Sequence, residues 1–491
     1  MILAQNLLRP LNGNKLFGFL LIGMLIFSSC DSLRKAQTTT SSNNEGSNDK
    51  EELPEIKGKK VYNPETGKFE VLTKSSEVDT VKWTDVPQEE APPIVTEGSG
   101  KVIEPKHGAG DTQIDPGNKM NEYNVAVMLP FLGHKFQEFE SRVNPKSELA
   151  LDFYSGVKIA FEDLSNEGIR LNVSVHDSEA SEATTTKLLK TSELYQAQMI
   201  VGPVKSSNLK KVADYAKQNK KVLVSPLSPS SKVTTANPYY VQVNPSLKSH
   251  CQAITRHALD RYPAGQIVLA CRNKSAEFSR LKFFQEAHQE FVGSSSVDKF
   301  KEFIITDQSV DFNEMDVSPY IQDGKTTVFI VPSWSNKTFV YALLRQIKIA
   351  KGPNNVVVYG MPQWMENDRI AYDYLNDLNV HISSASNINT EKAEIQSFRQ
   401  RYFDRYGQVP ATNSYIGYDV MMYFGRMMAK HGTSFQQAID REAATMLHST
   451  FNFEPVAPKN ANVENYDAIE YYENKKVNIL KFADYYYQLA E

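Results

Sequence analysis

Few side chains in this sequence are spaced for catalysis. None of the nine histidines falls in an HExxH arrangement, which would set two imidazoles and a general base on one helix face. His250 and His257 are two turns apart on one expected helix and share a face. Packing or solvation explains that spacing as simply as a metal would, so no metal ligand is assigned. Gly98-Ser99-Gly100-Lys101 has phosphate-loop composition, but no strand leads into it. There is no GxSxG. Cys251 falls near a helix start and Cys271 at a strand end, so a disulfide and two buried thiols are both open. Three cysteines are too few for a Cys₄ zinc site. No catalytic residue and no cofactor is assigned.

What remains is a group of small polar and aromatic residues placed just after apolar runs: Phe131, Ser206, Ser207, Ser225, Ser228, Asn273, Trp334 and Trp364. They suit ligand binding, because ligands of open parallel sheets lie outside the carboxyl ends of the strands. Ser206 and Ser207 come where a helix should begin. They can serve as helix caps, as hydrogen-bond donors to an anion, or as both.

The elements that must position these residues alternate strand and helix. Val125–Leu129 is a short apolar run closed by Pro130. Phe153, Val157, Ala160 and Leu164 mark a helix face, and Leu171, Val173 and Val175 alternate as a strand. A helix over Glu182–Gln196 leads to Met199–Pro203. The helix Ser207–Asn219 then leads to Val222–Pro226, and Tyr239–Val243 is extended. A second set of the same units follows Pro245. Its strands are Ile267–Cys271, Phe303–Thr306, Val328–Ser333 and Val356–Gly360, and its helices are Ser246–Arg261, Glu277–Phe291 and Lys337–Lys348. The fold class is therefore α/β, with two similar lobes of parallel, doubly wound sheet joined by a hinge.

Ahead of this body, Arg9 and Lys15 precede an apolar run, Leu16–Phe27, that is short for a membrane span, which needs ~20 apolar residues. Ser28-Ser29-Cys30 follows, so residues 1–29 read as a secretory signal. Its end resembles a bacterial lipobox, which implies lipidation at Cys30; a plain signal peptide or a signal anchor is the alternative. Residues 30–121 are polar and irregular, the composition of a disordered tether. Within them Lys60–Leu72 alternates on both sides of Pro-Glu-Thr-Gly and predicts a hairpin. The net charge is −4, with the acidic excess in the tether, which speaks against nucleic-acid binding.

From Glu122 the chain resembles the type I periplasmic-binding-protein family, in its branched-chain amino-acid-binding branch. The residues that carry the resemblance are NVAVMLPF at the start, DFYSGVKIAFEDL with Gly156, IVGPVKSS, LVSPLSPSS, and the run Phe398–Phe424. The resemblance implies lobe one at 122–245 and 376–432 and lobe two at 246–375 and 433–491. It also implies three crossovers as hinge and a small-molecule ligand between the lobes.

Two departures stand out. Leu227 and Pro229 replace the small residue and Thr usual after the fourth strand, and Glu277-Phe278-Ser279 replaces a Tyr-Gly. The ligand expected is thus an amino acid, something peptide-like, or none. The leading reading is a lipoprotein of a Gram-negative envelope that faces the periplasm from the inner or outer membrane and serves an ABC permease or a sensor. The alternative is an envelope lipoprotein that regulates a peptidoglycan synthase. An enzyme has no motif behind it.

Overall fold

The computed structural model describes residues 60–63, 68–71, 118–136, 144–293, 299–306, 312–458, 461 and 466–490. The chain divides into two units, Met1–Pro105 and Lys106–Glu491. In the first, strands Lys60–Asn63 and Lys68–Val71 pair antiparallel with Tyr62 opposite Phe69, as the alternation predicts. The signal segment, Cys30 and most of the tether lie outside the described residues.

The second unit holds two seven-stranded sheets. In spatial order the first runs Phe453–Val456, Tyr471–Asn474, Tyr240–Gln242, Val222–Ser225, Met199–Val201, Tyr123–Leu129 and Leu171–Asp177. All its neighbours pair parallel except the outermost, Phe453–Val456. The second runs Tyr486–Leu489, Asn478–Ala483, Val380–Ser384, Val356–Gly360, Thr327–Ile330, Ile267–Arg272 and Lys301–Ile305. Central strands such as Val222–Ser225 and Val356–Gly360 are buried at every position. That is the pattern of strands covered by helices on both faces, and it is why they read as unbroken apolar runs.

Helix Pro145–Asn166 opens on Asn144, whose side chain accepts from the Lys146 N–H, with Pro145 in the first turn. It packs on helix Thr412–His431 at contact distance. A Cβ on Gly156 would stand 1.8 Å from the Ser414 carbonyl oxygen, and one on Gly417 2.0 Å from that of Phe153. The expected single helix over 182–196 is instead two, Glu182–Leu188 and Ser192–Gln196.

The lobe boundaries differ from expectation in two places. Val380–Ser384 pairs with Val356–Gly360 in the second sheet, so the chain returns to lobe one after Ser384 rather than at 376. His381 and the two serines had masked this strand; only Val380 and Ile382 carry an apolar signal. Conversely, Phe453–Val456 and Tyr471–Asn474 complete the first sheet, although 433–491 was expected in lobe two. Tyr471–Asn474 pairs beside Tyr240–Gln242 and Phe453–Val456 pairs outside it, and alternation alone cannot tell which edge a strand will join. Three crossovers link the lobes: after Gln242, after Ser384 and after Asn474.

Candidate functional site

In lobe one the strand-end loops are built around fixed backbone. Asp177 ends its strand and accepts the N–H groups of Leu132 at 3.1 Å, Gly133 at 2.8 Å and Glu179 at 2.8 Å. Gly202 has φ +85°, and a Cβ there would meet the Met128 carbonyl oxygen at 2.2 Å, so only glycine fits. Helix Ser206–Gln218 starts just beyond. Neither Ser206 nor Ser207 caps it: the cap position is Lys205 and no side chain bonds there. Ser206 is exposed and Ser207 half-buried, so Ser206 is open to solvent. Ser225 and Ser228 are buried. Phe131 packs edge-on to Tyr154 against the core.

In lobe two the strand ends are filled by the protein's own side chains. Glu277, 1% exposed, accepts the Arg272 N–H at 2.9 Å and the Arg272 guanidinium at 2.9 and 2.5 Å. The Ser333 hydroxyl donates to the same carboxylate. Arg280 donates to the Pro332 carbonyl at 2.8 Å and lies 3.3 Å from the Trp334 ring centre. Trp364 is not an open wall, as expected from the sequence, but a core residue. It is 2% exposed, donates its indole N–H to the Ser333 carbonyl at 2.7 Å, and fills the space above Gly360. Asn273 stays exposed. Glu277 and Ser279 take the place of the Tyr-Gly expected for an amino-acid grip, and the carboxylate turns inward.

The histidines pack on strands. His250 pairs with Ser383 at 3.0 Å through Nδ1, and His257 with the Tyr359 hydroxyl at 2.7 Å. His381 stacks beside both His257 and Tyr359. Cys251 and Cys271 are free, buried thiols.

The open space between the lobes lies elsewhere. A groove of about 930 Å³ is walled by Pro229–Lys232, Asn452 and Glu454–Ala457 of lobe one and by the helices Leu247–Leu259 and Ser275–Val292 of lobe two. Its floor is the first and third crossovers, with Ser246, Ser249, Glu473 and Lys475. None of Phe131, Ser206, Ser207, Ser225, Ser228, Asn273, Trp334 and Trp364 lines it. Glu473 accepts the Ser246 N–H at 2.8 Å and the Ser249 hydroxyl at 2.6 Å, and pairs with Lys475 at 2.6 Å. Burial opposes its charge, but Lys475, Ser249 and the Ser246 N–H together hold its carboxyl below the usual range. Across the sheet Glu473 is opposite Gln242, which is opposite Ser225, so a polar row follows the carboxyl edge toward the groove.

Most groove residues lie on the crossovers and on helix faces, so a search for residues directly after strands does not select them. One signal was available: Glu473 follows the tyrosine pair Tyr471-Tyr472, and an acid buried beside them must be paired.

A family model described as a periplasmic binding protein matches residues 145–458. Among solved structures, a putative branched-chain amino acid ABC transporter from Rhodospirillum rubrum is similar. It is 11% identical, with 75% of this chain and 100% of that chain covered and a TM-score of 0.55. An ABC transporter substrate-binding protein from Desulfitobacterium hafniense is 13% identical, with 75% and 100% covered and a TM-score of 0.50. No curated protein sequence matches the chain.

Proposed function

The chain belongs to the periplasmic binding protein family, and on that premise we propose that it is a ligand-binding protein of the bacterial cell envelope. In this reading Cys30 is lipidated, the polar segment 30–121 is a tether, and the body takes an amino-acid or peptide-like ligand between its lobes for an ABC importer or a sensor. The observation that carries it is the groove of about 930 Å³ walled by both lobes and floored by two crossovers. A space shared by two bodies on a hinge changes shape when they move, which couples ligand to conformation. Its volume is at the upper end of ordinary ligand pockets, roughly 300–1,000 Å³. That size, with the inward-turned Glu277, favours an extended ligand over a single amino acid. The test is calorimetry of the full chain in detergent against amino acids and short peptides. Heat from at least one member is expected, and silence from all of them defeats the reading.

A second reading draws on the strand ends of lobe two, which Arg272, Glu277, Ser333 and Trp364 close. A lobe that needs no ligand to complete it suits an interaction protein that regulates a peptidoglycan synthase. Capture of a purified synthase by the full chain, together with calorimetric silence, would favour this reading.

A further inference from the structure

We propose that the groove between the lobes binds an extended acidic peptide, held by Lys232, Lys248, Arg256 and Lys476. The inference rests on the ligand-binding reading and names the chemistry of its ligand.

The charges on the groove wall are unbalanced. Lys232, Lys248, Arg256 and Lys476 all line it, and none of them pairs with a carboxylate among the described residues. Of the three acids there, Glu473 is already neutralised by Lys475 at 2.6 Å. Glu290 accepts from the Gln252 side chain at 2.9 Å, and Glu454 stands opposite Glu473 on the outermost strand. Among the described residues, four unpaired cations therefore face two acids that lack a cation. This surplus sits in a body that is otherwise close to neutral.

The placement of the cations also points to length. Lys248 and Arg256 lie on one helix, about 12 Å apart along its axis at 1.5 Å per residue. That is the span of about four residues of extended peptide. Gln252 and Ala253 line the stretch between them. The Arg256 guanidinium rests 4.5 Å from the Phe291 ring centre, and Phe283 lies on the same wall. The contact holds the guanidinium in place and sets an apolar strip beside the charges. The same helix begins in the groove. Glu473 takes the Ser246 N–H, while the N–H groups of Leu247 and Lys248 have no carbonyl one turn earlier in the helix. Carboxylates alternating with apolar side chains complement all of these features. A basic peptide would meet four like charges, and a single amino acid would leave most of the space open.

The experiment is fluorescence anisotropy of the full chain with fluorescein-labelled peptides that alternate glutamate with phenylalanine or leucine. The same peptides with lysine or glutamine in place of glutamate serve as controls. The acidic peptide should bind, and added salt should weaken it. The double change Lys248→Glu with Arg256→Glu should weaken binding by about tenfold or more at unchanged melting temperature. Lys476→Glu, exposed on the third crossover, should weaken it by a smaller factor and guards against misfolding of the double variant. Lys301→Glu, exposed on a strand that does not line the groove, should leave it unchanged. Equal affinity for the lysine peptide, or acidic-peptide affinity indifferent to both groove variants, overturns the proposal. Binding of amino acids or the glutamine peptide without the acidic one overturns it while leaving the ligand-binding reading intact. No binding by any of these molecules ends both.

Discussion

Glu473 and Lys475 meet at 2.6 Å where the last strand of the first sheet becomes the third crossover. The same carboxylate holds the Ser246 N–H and the Ser249 hydroxyl, which belong to the first crossover and the helix it enters. One buried acid thus fastens two of the three links between the lobes. Removing it leaves Lys475 half-buried without a counter-charge. Glu473→Ala should cost about 3–5 kcal/mol of stability, and Glu473→Gln less, since the amide oxygen still accepts. Urea titration with an unchanged slope checks both.

Three histidines that burial keeps neutral make the body acid-sensitive. Burial pushes His250, His257 and His381 each down to about 4 from an ordinary 6.5, so they are neutral in the folded protein. Between about pH 6.5 and about 4 the unfolded chain binds more protons than the folded one, and stability falls as pH falls. Glu473, held below the usual carboxyl range, adds a loss at still lower pH. Melting temperatures across this window should decline, and His250→Asn should flatten the decline.

Gly156→Ala would place a methyl 1.8 Å from the Ser414 carbonyl oxygen, with backbone on both sides of the contact. The helices must separate to admit it. A loss of about 1–3 kcal/mol is expected, and Gly417→Ala should do the same from the other helix. Gly265→Ala, where a Cβ meets nothing within 4 Å, is the control.

Cys251 and Cys271 should ignore thiol reagents in the native state. Burial pushes the Cys271 thiol up to about 12 and raises that of Cys251 as well. A thiolate is the reactive form. Reductant should leave the melting temperature unchanged, and both thiols should titrate only after denaturation. A native-state reaction at either residue contradicts this.

Cys30→Ser should abolish labelling by a metabolic fatty-acid analogue and release the protein from membranes. Equal labelling of the wild type and the variant defeats the lipid anchor. Cleavage by added protease should concentrate between residues 31 and 121, since polar irregular segments are preferred sites.

The sequence by itself determined the α/β class, the two sets of units and the succession of strands and helices along the chain as far as Gly360. Runs such as Val222–Ser225 and Val356–Gly360 are buried on both faces, so their apolar character follows from their position in the sheet. Gly156 could be singled out only through the family resemblance. Tertiary structure decided where the ends of the chain go. Phe453–Val456 and Tyr471–Asn474 carry no local signal for the sheet they join, and the choice depends on the edge that Tyr240–Gln242 leaves open in the first sheet. It also decided the site. Strand ends are legible because they follow apolar runs, but which of their side chains face outward is not. Trp364 turned inward to the Ser333 carbonyl and the space above Gly360, and Glu277 found Arg272 and Ser333. The groove is lined by residues far apart in the chain, from Pro229 to Val477, that come together only when the lobes are in place.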